Sequence, residues 1–359
     1  MDSFAFIIHP IDPKRDVSRK YPLLGRYLSE GIINFGSTFF PPVLLSEVSG
    51  ITSQATGKVL KGWLIACPLT AARMIELNER IAYYKIIQTG RLAERLGADI
   101  LGLGAFTSVV GDGGISIANA LDVPVTTGDA YTIAVAVQAI REAAALMEID
   151  LRQNAVAIVG ATGAIGRVCA QLMCNHSPEL HLFGRDAIKL EALRAELQPA
   201  SNARLITHTD LRNLRQTKAI LTVSSAVDTI IQPEFLQPGS VICDVARPRD
   251  VAASVAAQRQ DVLVIDGGIV DVPGQVDFHF DFGFPPGKAY ACMAETIALA
   301  LEGRFEDYTI GKEISIARVT EISEIAQRHG FKLSGFRSFE KPVSLEQIEQ
   351  IKRNAKLHS

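Results

Sequence analysis

Paired cysteines are missing from this chain of 359 residues. Its five cysteines, Cys67, Cys169, Cys174, Cys243 and Cys292, are odd in number and nowhere spaced C-x-x-C. That excludes a disulfide framework and a cysteine-built zinc site, and it points to a reducing compartment, the cytoplasm. No metal is expected. An excess of one charge is missing too. The 36 Lys and Arg stand against 39 Asp and Glu, a formal net charge of −3, so there is no electrostatic footprint for nucleic acid. No apolar run approaches the roughly 18 residues of a membrane span. The opening MDSFAFIIHP lacks the basic region and long apolar run of a signal peptide. Repeats and low-complexity tracts are absent. What remains is the composition of a folded globular chain, 48% hydrophobic and long enough for two domains.

The most informative stretch is Ala155–Gly166, AVAIVGATGAIG. Ala155 to Val159 read as a buried parallel strand. Gly160, Gly163 and Gly166 follow at G-x-x-G-x-x-G spacing, with Thr162, Ala164 and Ile165 completing the turn, and Arg167–Cys174 continues as a helix. Glycines let backbone N–H groups approach a pyrophosphate, and a helix N-terminus supplies partial positive charge. A tight βα turn that binds nothing has the same spacing. The βα series that follows favours a dinucleotide, with strands expected at Leu180–Phe183, Arg204–Thr207, Ala219–Val223, Val241–Val245 and Val262–Ile265. The expected fold class is therefore α/β. An N-terminal α/β substrate domain (1–150) precedes a doubly wound Rossmann-type NADP-binding domain (151–288), and C-terminal helices (289–359) pack back.

The second strand of that series ends at Gly184-Arg185, about 20 residues past the glycines, where a carboxylate would select NAD. Arg185 instead offers a fork of donors for a 2′-phosphate, which favours NADPH. Asp186 reads as the cap of the next helix. Ser224, Ser225, Gly267 and Gly268, at the ends of later strands, complete the expected cofactor contacts.

Upstream, Phe4–His9 reads as a strand, Ser46–Cys67 as strands turning at Thr56-Gly57, and Thr70–Leu96 as one long helical pattern stopped by Gly97. Gly57-Lys58 reads either as a hairpin turn or as an anion contact. Asp99–Leu103 and Val123–Thr126 are strands that run into the small-residue loops Gly104–Ser108 and Thr126–Asp129. Such loops are ligand sites at strand ends, or plain βα turns and helix caps. Near the C-terminus, Pro285-Pro286-Gly287 precedes a helix at Ala289–Leu301, and Lys312–His329 forms another. Cys292 sits near the start of the first of these. A helix N-terminus and nearby Lys288 would both favour its thiolate; the alternative is a core cysteine. Cys67 is the second candidate nucleophile.

Several runs then carry a resemblance: ATGKV (55–59), GAFTSVV (104–110), TTGDAYT (126–132), VAIVGATGAIG (156–166), DGGIVD (266–271), AYACMAETIALALEG (289–303) and EIAQRHGF (324–331). Together and in this order they resemble the long-chain acyl-(acyl-carrier-protein) reductases. The resemblance implies NADPH-dependent reduction of a long-chain acyl thioester to a fatty aldehyde, with Cys292 taking the acyl group. It implies oxyanion donors at the Cys292 helix start or from the hydroxyls of Thr107, Ser108 or Thr127. It also implies an acyl tunnel along Ile81–Leu96 and Phe278–Phe284. The partners would be acyl carrier protein or acyl-CoA, and an aldehyde-consuming enzyme. This chain departs from the family in a shorter segment before the cysteine, in Tyr131 where a histidine is expected, and in its tail after Phe336. Two other readings stand beside it. One is a shikimate-dehydrogenase-like NADP-dependent ketone or alcohol oxidoreductase, which needs a lysine–aspartate pair, with Lys58 and Lys85 available. The other is a non-catalytic NADPH-sensing protein.

Overall fold

The structure is a computed structural model that describes residues 1–226, 228–281 and 283–357. It divides into two compact units, Met1–Thr132 with Val270–Lys332, and Ile133–Ile269 with Leu333–Ser359. This differs from the expected division into 1–150, 151–288 and 289–359, for two physical reasons. The helix Asp129–Leu146 is unbroken, so the chain passes from one unit to the other inside a helix and not through a linker. The helix Ala291–Glu302 buries every residue from Met293 to Leu301, and it finds cover for them on strands of the first unit.

In the first unit the strands are β1 (Ser3–Ile8), β2 (Val43–Thr52), β3 (Val59–Ala66), β4 (Leu101–Leu103) and β5 (Val125–Thr126). A further strand, Gly274–Asp277, completes a six-stranded sheet in the order Gly274–Asp277, β2, β3, β1, β4, β5. β1, β3, β4 and β5 are parallel, whereas β2 and Gly274–Asp277 are antiparallel additions. The central strand β1, SFAFII, is apolar without alternation because the sheet is covered on both faces there. The expected long helix is two, Ala71–Glu76 and Glu79–Leu96, because the Asn78 side chain accepts from the Arg80 N–H and caps a new start. The latter buries Ala82, Ile86 and Ala93 in the core.

Two side-chain clips hold this unit. Lys58 Nζ donates to the carbonyls of Ala300 (2.8 Å) and Leu301 (3.1 Å) and pairs with Asp2 at 2.5 Å. It satisfies the C-terminus of the Ala291–Glu302 helix, so its expected alternative, an anion contact, gives way to a cap. His329 joins Ser53 Oγ (2.7 Å, at Nδ1) to Glu302 (2.7 Å, at Nε2). Ser53 and His329 are buried, and Ser53 Oγ also accepts the N–H groups of Ala55 and Thr56. This relay is a tie between the β2–β3 hairpin and two helix ends.

The second unit carries β6 (Val156–Val159), β7 (Glu179–Phe183), β8 (Arg204–His208), β9 (Ala219–Thr222), β10 (Val241–Asp244) and β11 (Leu263–Asp266). All pair in parallel in the order β8-β7-β6-β9-β10-β11. Counted within the unit this is 3-2-1-4-5-6, the doubly wound dinucleotide-binding order, with the switch between β6 and β9. The α/β doubly wound expectation holds. No helix among the described residues is long and apolar enough to cross a membrane.

Candidate active site and cofactor turn

At the switch point β6 runs into the glycine turn. Gly160 has φ +82°, and a Cβ there would lie 2.8 Å from Ser224 Cα. A Cβ on Gly166 would lie 2.2 Å from the Gly160 carbonyl oxygen. The turn is thus closed to any side chain at both positions, and the helix Ala164–Met173 begins at Gly163 with no side chain capping it. Thr162 and Gly163 are exposed and Ala164 and Ile165 half-buried beside that open helix start. Backbone N–H groups without a protein cap, on a helix aimed out of a tight glycine turn, fit a pyrophosphate. Arg185 is exposed just past β7 and makes no hydrogen bond or ion pair among the described residues. Asp186 accepts the N–H groups of Ile188 and Lys189, the cap expected of it.

Ser224 plays a different part from the expected one. Its hydroxyl donates to Asp250 Oδ1 (2.5 Å) and its N–H to Oδ2 (3.0 Å), so it fixes the loop against the glycine turn and has no hydroxyl proton to spare. Ser225 is exposed beside it. Gly267 answers a packing need: its Cβ would meet Cys243 Sγ at 2.7 Å. Gly268, with φ +77°, follows it past the end of β11.

In the first unit Cys292 stands at the carboxyl edge of β4 and β5. Strand pairing sets Gly102 beside Thr126, and two residues on Gly128 lies against the Cys292 backbone; a Cβ there would fall 2.3 Å from Cys292 Cα. Of the five cysteines only Cys292 is partly accessible. Cys67, the second candidate, is fully buried, and burial pushes its thiol up as it does that of Cys292, so accessibility is what separates the two.

The expected activation of Cys292 is present but outweighed. Burial pushes its thiol up to about 12, the Asp129 and Glu295 carboxylates add to this, and the Met293 N–H pulls the other way. Lys288 does not help, because it pairs with Asp271 at 2.6 Å. Cys292 is therefore held as the thiol at neutral pH. The neighbouring Asp129 is shifted too: burial, with the charge of Glu295, raises its carboxyl to about 7.

Glu295 is the organising group that sequence reasoning missed. One helical turn beyond Cys292 and fully buried, it accepts the hydroxyls of Thr126 (2.5 Å) and Thr309 (2.8 Å) and the N–H of Tyr131 (2.8 Å). It thereby caps the Asp129–Leu146 helix from a different helix and fastens the Thr126–Tyr131 loop to the Cys292 helix. An i, i+3 cysteine–glutamate pair in an otherwise apolar helix was the available signal.

The hydroxyls expected as oxyanion donors are already committed. Thr127 Oγ1 donates to the Thr309 carbonyl (2.9 Å), Ser108 Oγ to Ala105 (2.7 Å) and Thr107 Oγ1 to Gly104 (2.8 Å). They shape the two loops, and of the expected donors only the backbone N–H groups at the start of the Cys292 helix lack a side-chain cap. Tyr131, buried, packs edge-on against Phe331. Of the expected tunnel wall, Phe278 is buried and Phe284 packs on Tyr290, while Phe282 lies outside the described residues.

The class follows from the fold: this is a doubly wound α/β protein of the NAD(P)-binding kind, with its dinucleotide turn in the second unit. The family model for shikimate/quinate 5-dehydrogenase matches residues 141–267. The aminotransferase PigE of a Serratia species is 34% identical over 304 residues, 84% of this chain, and this chain spans 36% of that protein's length. The long-chain acyl-[acyl-carrier-protein] reductase of Synechococcus elongatus is 29% identical over 346 residues, 92% of this chain and 98% of that one. Among solved structures, L-tryptophan dehydrogenase from Nostoc punctiforme aligns over 99% of this chain and 89% of its own at 14% identity, with a TM-score of 0.42.

Proposed function

We propose that this chain reduces an acyl thioester to an aldehyde with NADPH, through an acyl group carried on Cys292. The observation that carries the reading is the setting of Cys292: the one partly accessible cysteine, at the strand edge where α/β sheets bind ligands, beside a carboxyl raised to about 7. Asp129 accepts the thiol proton as the sulfur attacks the thioester carbonyl. The carrier thiolate leaves and takes a proton, so acyl transfer is balanced without a redox change. Backbone N–H groups at the helix start receive the oxyanion, and Glu295 holds the Asp129 loop in place. Bound at the glycine turn, NADPH supplies the hydride, and one NADPH and one proton are consumed per aldehyde. Arg185 and the absence of a carboxylate past β7 other than the helix-capping Asp186 support the 2′-phosphorylated cofactor.

The likeness to the cyanobacterial reductase supports a long-chain acyl group on acyl carrier protein or coenzyme A. An aldehyde is also a substrate for amino-group transfer, and the likeness to an aminotransferase supports an aldehyde-consuming partner of that reaction class. Intact-mass measurement after incubation with an acyl-carrier thioester, without NADPH, tests the reading. One acyl group on Cys292, lost in Cys292→Ala, is expected; no adduct, or an unchanged reduction rate in Cys292→Ala, overturns it.

The second reading, a shikimate-dehydrogenase-like ketone or alcohol oxidoreductase, is favoured by the family-model match. Its lysine candidates are engaged elsewhere. Lys85 is buried on the Phe40 carbonyl (2.9 Å), and the Lys58–Asp2 pair lies where β1 and β3 begin, at the edge opposite to Cys292. An oxidoreductase of this type would keep its full rate in Cys292→Ala.

A further inference from the structure

The first unit opens with three short helices, Pro13–Lys20, Pro22–Tyr27 and Glu30–Ser37, that do little for the core. The first buries no residue, the second only Gly25, and the third only Ile33 and Ser37. Their large apolar side chains, with Phe39 just past the third helix, point outward: Leu23 is 69% exposed, Tyr27 73%, Ile32 56%, Phe35 65% and Phe39 70%. The patch is joined by ring contacts, with Phe35 on Phe39 (5.4 Å) and Tyr21 on Phe40 (6.3 Å). Apolar patches of this kind mark interaction surfaces in soluble domains.

Charge selects the partner. With the Asp12 cap included, residues 12–40 hold five basic groups, Lys14, Arg15, Arg19, Lys20 and Arg26, against three acidic ones, Asp12, Asp16 and Glu30, a balance of +2 in a chain whose total is −3; Asp16 lies against Arg15 and Arg19. Arg26 lies over the Tyr27 ring at 5.6 Å, so cation and apolar surface are interleaved and not segregated. A two-fold contact with a second copy would set like charges against each other. An anionic bilayer surface accepts both features at once, aromatic and aliphatic groups at the acyl boundary and basic groups at the phosphates.

We propose that this helical trio is a membrane-surface anchor that seats the protein on anionic lipid without crossing the bilayer. The proposal rests on the patch itself and is independent of the reaction at Cys292. The test is flotation of the purified full chain with phosphatidylcholine vesicles and with vesicles containing phosphatidylglycerol, alongside light scattering for oligomeric state. Wild type is expected to float with the anionic vesicles, with at least tenfold weaker binding to neutral ones and release by high salt. Tyr27→Ser/Phe35→Ser/Phe39→Ser and, separately, Lys14→Glu/Arg26→Glu should each weaken flotation at least tenfold with the thermal melt unchanged. Failure of wild type to float overturns the proposal, as does equal binding to neutral vesicles. A dimer that the triple variant converts to monomer also overturns it, and assigns the patch to a second copy.

Discussion

Two helices of this protein start the same way and end up serving opposite purposes. Ala164–Met173 and Asp129–Leu146 each begin just past a parallel strand, on a glycine pressed against another segment's backbone: Gly160 on Ser224, Gly128 on Cys292. In the second unit no side chain fills the helix start, and the positive end of the helix faces outward for a phosphate. In the first unit the buried Glu295 carboxylate occupies it. An open helix start fits a phosphate; one filled by the protein's own carboxylate is a fastening, and here it fastens the segment that carries Asp129 against the helix that carries Cys292.

The contrast can be broken at the open end first. In Gly166→Val the new side chain would collide with the Gly160 carbonyl oxygen, 2.2 Å from its Cβ, so NADPH binding should be lost by fluorescence titration. Overpacking strain of about 1–3 kcal/mol should lower the melting temperature as well. A variant that still binds NADPH would show that the turn is not the cofactor cradle.

Asp129→Asn probes the fastened end. Acyl transfer to Cys292 should fall by about 10²–10⁴-fold, the range of a general base. In wild type the rate should climb as pH passes about 7, where Asp129 loses its proton, and that limb should vanish in the variant. Stability should move the other way. The folded carboxyl keeps its proton up to about 7 whereas an unfolded one releases it near 3.8, so the folded state binds more protons in between. Wild-type stability should therefore decline as pH rises through that window, and Asp129→Asn should remove the decline. A pH-rate profile unchanged by the substitution would remove Asp129 from the chemistry.

Glu295→Gln keeps the shape but sets an amide N–H2 against groups that donate. The cost should be about 1–3 kcal/mol of stability for the unsatisfied buried donors, read by denaturant unfolding. Cofactor affinity in the other unit should stay as it was. The smallest effect belongs to Arg185→Ser, which should weaken NADPH about tenfold, the size of one charge-assisted hydrogen bond, and leave NADH unchanged.

The sequence alone determined the dinucleotide unit nearly strand by strand, because each strand is a short apolar run and the glycine turn is a local backbone demand written in consecutive residues. It also read Asp186 as a cap, while Cys292 stood out among the five cysteines only through the family resemblance. Only the tertiary structure decided that Cys292 stays a thiol, since burial above all, and then the charge of Asp129 from a segment more than 160 residues away, outweigh the helix start. It likewise paired Lys288 with Asp271, turned Lys58 into a helix cap, and committed the hydroxyls of Thr127 and Ser108 to carbonyl oxygens. The physical reason is range. Strand period and turn chemistry act between near neighbours in the chain, whereas a pKa and a spare hydrogen-bond donor depend on whichever groups folding brings alongside.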